Sequence, residues 1–493
     1  MHAILSLFMT SFFILSFVAI YFLILFVISY ITGKNADTKS FFLANKQAPW
    51  YLVAFGMIGD SLSGITYLSV PGAVGKSNFY YLQVVFGYTL GYIVIAKILL
   101  PLYYRMNLTS IYSYLLERFG NVSQKTGSFF FLLSRTLGAA LRLYLSANVF
   151  QVFVFDKFGI PFSVTLSVII IFMFIYTYQG GIKTLVWTDS LQSLFLVAGV
   201  ILSIAAIGTK MNWGVTEMIH QISTSPYTNL FNWHWQEKQF FLKQFFSGAF
   251  IAIVMTGLDQ NMMQKNLSCK SLGDAQKNLY WFSGIVVIVN IFFLSLGVLL
   301  YLYSTANGME IPSKTDHLFP LLALNHLGLF ASMVFILGLT AATFNSADSV
   351  LTTLTTSFCV DFLNVENPGK YSEKQKTGIR HKVQISFGIV LLLLILGFQS
   401  FIDDAVINAV LTMAGYTYGP LLGMFAFGIF TNQKPIDKFV PMVCILAPVI
   451  CFFIANNSKQ LFGGYEFGFE LLILNGALTF LGLWALAKKK DLR

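Results

Sequence analysis

Apolar residues run through this chain in stretches of twenty or more, separated by short polar punctuation. A helix needs about 20 mostly apolar residues to cross the hydrocarbon core of a bilayer. On that measure the pattern predicts thirteen spans, at 6–32, 49–73, 79–105, 126–156, 161–179, 186–208, 239–262, 277–304, 327–361, 382–401, 404–430, 437–456 and 467–487. Span nine is longer than a straight crossing requires, so it is expected to tilt or to run on beyond the bilayer. Residues 3–31 are apolar for far longer than the roughly 7–15-residue core of a secretory leader, with no basic segment before them and no small-residue cleavage site after them. A retained span is expected there.

Composition agrees with the pattern. Of 493 residues, 56% are hydrophobic and only 11% are charged, with a mean hydropathy of +0.71. Soluble globular domains carry about 25% charged residues, so a disordered chain and an ordinary soluble enzyme are both excluded. The net charge of +10 changes the picture only through its placement. With the N-terminus outside, the inner loops hold 21 lysines and arginines, Lys265 and the Lys488–Lys490 run among them, the outer loops hold 7, and Lys97, Arg135 and Arg142 fall inside spans. A threefold bias of this kind is the positive-inside signature and predicts N-out, C-in. Nucleic-acid binding is therefore not expected. Cys269, Cys359, Cys444 and Cys451 show no CxxC spacing and the histidines no HExxH pair, so no disulfide framework or zinc site is expected. The loop at 209–238, with Trp213, Trp233 and Trp235, is expected on the outer interface. The polar loop at 362–381 is expected inside.

Ionisable residues in spans are costly, by at least about 2.5–3.5 kcal/mol, and so mark partners and function. Here they are Asp60, Arg135, Arg142, Asp189, Asp259 and Asp348, while Lys97 sits near a span end and can snorkel. Span two is interrupted by Gly56, Gly59, Gly64, Pro71 and Gly72, with Ser61, Ser63, Thr66 and Ser69 alongside. A break facing lipid is not tolerated, but one lining a cavity is, and its freed carbonyls can coordinate sodium. Close helix packing through small residues is the plainer alternative. In span nine, Asn345, Ser346, Ser349, Thr352, Thr353 and Thr356 recur at helical steps beside Asp348. Oxygen ligands with one carboxylate suit a hard cation, although interhelical hydrogen bonding is a common use of such a stripe. Arg135 and Arg142 lie seven residues apart on one face of span four, where each could grip a carboxylate, of a solute or of a structural partner. Asp259, near the end of span seven, could cap or pair at the interface.

The run from Tyr176 to Gln192, YTYQGGIKTLVWTDSLQ, with Gly180, Gly181, Trp187, Thr188, Asp189 and Gln192, resembles the most diagnostic stretch of the sodium/solute symporter family. SLSGITYLSVPG in span two and Asn345–Asp361 in span nine are similar to the same family. The resemblance implies an all-α membrane protein of about 13 helices, a single transporter domain over 1–493 with a five-plus-five inverted-repeat core. The first repeat would be 49–208 and the second 239–430, each opening on a discontinuous helix, with Gly257 in the second. Span 6–32 and two spans in 437–487 would be peripheral. It implies a main sodium site at Gly59, Leu62, Ala342, Asn345 and Ser346, and a second around Asp189, Asn345, Asp348 and Ser349. Relatives carry a hydroxyl residue where this chain has Asn345, and commonly a serine where it has Asp348. Ser63, Thr66, Gln83, Arg135, Arg142 and Gln260 resemble substrate-facing positions, with Tyr81 and Tyr418 as aromatic gates.

The expectation is a multi-pass carrier of the plasma membrane that couples sodium entry to uptake of a small polar solute, such as a sugar acid or amino acid, by alternating access. Sodium would be co-transported. No nucleophile–base pair suggests an enzyme. Three rivals stand beside it: a proton-coupled carrier of the same fold, kept open by Asp348 next to Asp189, a membrane sensor built on a transporter fold, and a channel.

Overall fold

The computed structural model describes residues 2–34, 38–177, 181–367, 369–399 and 406–488. In chain order its long helices are α1 (His2–Gly33), α2 (Trp50–Ser61), α3 (Gly64–Ser77), α4 (Tyr81–Arg105), α5 (Asn121–Phe155), α6 (Phe162–Thr177), α7 (Ile182–Met211) and α8 (Val215–Thr224). They continue with α9 (Phe241–Gly257), α10 (Gln260–Leu267), α11 (Leu272–Ala306), α12 (Leu329–Phe362), α13 (Glu373–Phe398), α14 (Val406–Phe430), α15 (Asp437–Asn456) and α16 (Leu471–Ala485). Extended pairing among the described residues is slight: β1 (Lys434–Pro435) lies antiparallel to β2 (Ala487–Lys488), and a lone bridge joins Ala48 to Cys269.

Nine of these helices are long and apolar enough to cross a bilayer, and two further crossings are bent pairs: α2 with α3, bent by 56°, and α9 with α10, bent by 64°. The bent pairs fall in expected spans two and seven. The remaining two expected positions, five and thirteen, are taken by α6 and α16, with 16 and 15 residues. The start of span eleven at 404, Gly180 and the basic tail from Lys489 lie outside the described residues.

Two boundaries differ from the hydropathy pattern for a plain reason. Helix α13 begins at Glu373, nine residues before the expected span, because Ser372 and Gln375 form a capping box whose side chains bond each other's backbone N–H groups. Hydropathy registers only the apolar turns of a helix. Helix α12 likewise runs 34 residues, so span nine does extend past a single crossing.

Helix α7 packs along α2 and α12, α12 packs along α5, and α4 packs along α9. The α4–α9 crossing is close because a Cβ at Gly87 would meet the backbone of Phe245, and one at Gly248 the backbone of Val84. Helices α12 and α14 are the most enclosed of the long spans, and α1, α13 and α15 the least. The centre of the bundle, where α2, α3, α5, α7, α10 and α12 meet, is where the buried charges gather. Lys97, as expected, is exposed.

Candidate functional site

The break in the first pair is two residues long. Leu62 leaves the helix at φ −101°, ψ 65°, and Ser63 is extended, before α3 restarts at Gly64. The last carbonyls of a helix have no intrahelical donor, so this end of α2 offers acceptors in mid-bundle. The α2 backbone is pinned to α7 by the Gly59 N–H, which donates to Ser193 Oγ at 2.9 Å. Asn345 on α12 abuts Gly59 so closely that a Cβ there would overlap its amide. Its Nδ2 donates to the Asp189 carbonyl at 3.0 Å, which leaves Oδ1 buried and without a hydrogen-bond partner. Ser346 is one residue on, its hydroxyl 3.3 Å from the Ala342 carbonyl. The structure thus brings Gly59 of α2 against Asn345 of α12, with Leu62 at the break that ends α2 and with Ala342 and Ser346 on the same helix as Asn345. A buried, unpaired acceptor is costly, and a cation is one way to satisfy it.

The oxygen stripe of α12 divides. Ser349 faces Asp189, with its hydroxyl 3.2 Å from Oδ2. The Ser349 N–H donates to Asp348 Oδ1 at 2.5 Å. Farther along, Thr353 lies 2.9 Å from Asn261 Oδ1, and Thr356 accepts from Gln264 Nε2 at 3.2 Å. That half of the stripe docks α10, the interhelical use of a hydroxyl.

One residue was misplaced by hydropathy. Lys265, read as a loop charge, is 1% exposed. Helix α10 carries it back into the bundle after the second break. Its Nζ forms ion pairs with Asp60 Oδ2 and Asp189 Oδ2 and donates to Ser349 Oγ at 3.0 Å. This ammonium joins α2, α7, α10 and α12 at one point. Charge counting could have pointed to it: the spans showed four aspartates against two arginines, an excess of two negative charges that called for a further cation.

Beside this cluster lies a cavity of about 80 Å³. Ser63 and Thr66 line it from the α2–α3 side, Arg135 and Arg142 from α5, and Tyr81, Tyr88 and Tyr92 from α4, with Asp60 at its edge. Asn290 and Thr256 also reach it, and neither was singled out in the sequence. The two arginines differ. Arg135 is buried and ion-paired, 3.4 Å from Asp259 Oδ2, whereas Arg142 is only half-buried and forms no ion pair among the described residues; the Nε of neither has a hydrogen-bond partner. Asp259 is both cap and ion pair, since it also accepts from the Met262 N–H at 3.2 Å and from the Tyr418 hydroxyl at 2.5 Å.

Gln83 and Gln260 do not line the cavity. Gln83 donates to the Tyr80 and Gln239 carbonyls and accepts from the Asn232 N–H. Gln260 accepts from the Ile111 N–H at 2.9 Å and donates to the Thr109 carbonyl at 2.7 Å. With Tyr103 bonding the Gly257 carbonyl at 2.9 Å and Tyr112 that of Leu258 at 3.0 Å, segment 103–112 clamps the second break shut. Tyr81 is at the cavity wall, while Tyr418, 2% exposed, is part of the Arg135–Asp259 lock rather than of the lining.

The pattern of the sodium:solute symporter family matches residues 41–434. The chain belongs to the sodium:solute symporter family. It is a multi-pass integral membrane protein and a sodium-coupled solute symporter, not an enzyme. It is 26% identical to the sodium/sialic acid symporter NanT of Aliivibrio fischeri, over 91% of this chain and 89% of that one. It is 26% identical to the sodium-coupled monocarboxylate transporter 2 of Danio rerio, over 81% of this chain and 65% of that one. Its fold is that of a Na+-coupled sialic acid symporter solved substrate-bound in an outward-open state with a novel sodium site: TM-score 0.81, 21% identity, 97% of this chain and 99% of that one.

In this symporter the diagnostic motif has a physical content. Gly181 stands at φ +52° at the start of α7 and abuts Phe41, a combination open to glycine alone. One turn and more beyond, Thr188, Asp189 and Gln192 face the bundle fully buried.

The Asp259 lock yields a prediction. Tyr418→Phe deletes a hydrogen bond to a buried carboxylate, worth about 1.5–3 kcal/mol. If the lock holds the closed state, uptake by this variant should show an altered rate with an unchanged sodium half-saturation. A normal rate in a tracer uptake assay would show that the hydroxyl has no part in gating.

Proposed function

We propose that this symporter imports a small carboxylate-bearing solute across the plasma membrane, with the N-terminus outside and the C-terminus inside. With Lys265 withdrawn from the loop count, the positive-inside bias is still 20 against 7. Segment 103–112 then seals the cytoplasmic side.

Sodium binds first, at the end of α2. The carbonyls of Gly59 and Leu62 reach it from the break, and the Ala342 carbonyl, Asn345 Oδ1 and the Ser346 hydroxyl from α12. The observation that carries this is the orphaned Asn345 Oδ1 facing the broken helix. An ion held by both α2 and α12 stabilises one relative position of the two, and coupling requires that difference in affinity between states. The solute then enters the cavity over Ser63 and Thr66, and its carboxylate meets the Arg142 guanidinium. That two relatives are symporters of sialic acid and of monocarboxylates supports an acidic solute. Arg135 positions rather than binds, because Asp259 already engages it. Gln83 and Gln260 brace the two ends of the cavity through backbone bonds, Tyr81 closes over the solute, and Tyr418 works through the Asp259 lock. The two bent pairs, α2–α3 and α9–α10, open two five-span repeats, 49–208 and 239–430, that rock against each other around the site.

Uptake into proteoliposomes tests this. Labelled sialic acid and short monocarboxylates are the first solutes to try, with an inward sodium gradient and with choline in its place at fixed pH. At least one acidic solute should accumulate above equilibrium only with sodium. Accumulation driven equally well by a proton gradient in choline would overturn the sodium-site reading.

A further inference from the structure

We infer that Lys265 is a built-in cation that fills the place of a second sodium ion, so that this symporter binds one sodium per transport cycle. The inference rests on the sodium site proposed at Gly59 and Asn345. The resemblance to the family sets a second ion among Asp189, Asn345, Asp348 and Ser349. At that locus the structure has an ammonium, bound to Asp189 Oδ2 and 3.0 Å from Ser349 Oγ. A third oxygen, Asp60 Oδ2, completes its shell.

The chemistry of the two occupants is alike. Both are monovalent cations that ask for a shell of oxygens, so carboxylates and a hydroxyl serve either. They exclude each other. A sodium ion placed about 4 Å from the ammonium would lose roughly three orders of magnitude in affinity to like-charge repulsion. The lysine does not vacate the place, because it is 1% exposed on a short helix whose first turn is capped by Asp259 and whose last turn is closed by the Ser268 N–H and hydroxyl on the Lys265 carbonyl. A tethered charge moves with the protein and never crosses with the solute, so it organises the site without adding to the coupling.

The four helices that meet at Nζ include one segment from each bent pair, α2 and α10, so the lysine also keeps the two broken spans in register.

Equilibrium binding of labelled sodium to the purified full-length protein reads the number directly. Wild type should bind one ion per chain, with a Hill coefficient near one. Lys265→Met and Lys265→Gln are unbranched or nearly so, one atom shorter, and remove the charge, and each should bind two ions with a Hill coefficient rising towards two. Should either misfold with two uncompensated carboxylates, Asp60→Asn in the Lys265→Met background restores the balance. That double variant should again bind a second ion between Asp189 and Ser349, though more weakly. Wild type that binds two ions overturns this inference and leaves the main site standing. Folded Lys265 variants that still bind one ion overturn the assignment to Lys265. Wild type that binds none overturns the main site and this inference with it.

Discussion

Substituting Gly59 by alanine is expected to raise the sodium concentration for half-maximal uptake by about 10–100-fold, with solute transport recovering at high sodium. The added methyl group would occupy the volume of the Asn345 amide. That amide is anchored, since its nitrogen donates to the Asp189 carbonyl, and a shift would break that bond. Overpacking a filled site costs typically about 1–3 kcal/mol, and here the strain falls on the amide that carries Oδ1, its nitrogen and carbon first. Asn345→Ser in the Gly59→Ala background shortens the neighbour, makes room for the methyl and supplies a hydroxyl, so sodium affinity should return. Gly138→Ala is the control, because nothing lies within 4 Å of a Cβ built there. A sodium titration of Gly59→Ala that overlays wild type would remove Gly59 and Asn345 from the site.

The same crowding explains what the sequence could and could not tell. A glycine-rich span with serines and a proline can be read as a break, because the backbone chemistry is local: glycine weakens the helix and the freed carbonyls need a cavity. The break is there, at Leu62 and Ser63. The positions around it could be named from the family motif, and Gly59 and Asn345 are in contact as that motif implies. Lys265 could not be found in this way. A window of hydropathy ends span seven at 262 and assigns MQKNL, residues 263–267, to a loop, since the helix bearing it is eight residues long and polar. Only the tertiary bend of 64° between α9 and α10 turns it into the bundle. Gln83 and Gln260 bond backbone groups rather than line the cavity, for a related reason. Buried amides look alike in sequence whether they face a solute or a backbone, and the backbone groups of segment 103–112 claimed Gln260. The stripe of α12 shows both outcomes on one helix. Asn345 keeps an unpaired oxygen, and Thr353 and Thr356 spend theirs on α10.

Arg142→Ala is expected to weaken binding of an acidic solute by about 100-fold or more, while leaving sodium binding within a factor of about three. Two arginines line the cavity, and the partners already present decide between them. Arg135 is held by Asp259, and removing its charge would strand that carboxylate, a loss of about 3–5 kcal/mol that falls on folding. Arg142 forms no ion pair among the described residues, is half-buried, and opens on the cavity. A guanidinium so placed can take a carboxylate through two parallel hydrogen bonds. Lysine keeps the charge but not the fork, so Arg142→Lys should recover only part of the loss. The two arginine variants therefore separate by readout: Arg135→Ala should lower the melting temperature with or without solute, and Arg142→Ala should lower only the shift that solute produces. Thermal unfolding with acidic and neutral solutes, each at saturating sodium, distinguishes them. If Arg142→Ala is stabilised by acidic solutes as strongly as wild type, the carboxylate does not sit on α5, and the solute is recognised instead through the tyrosines and hydroxyls across the cavity.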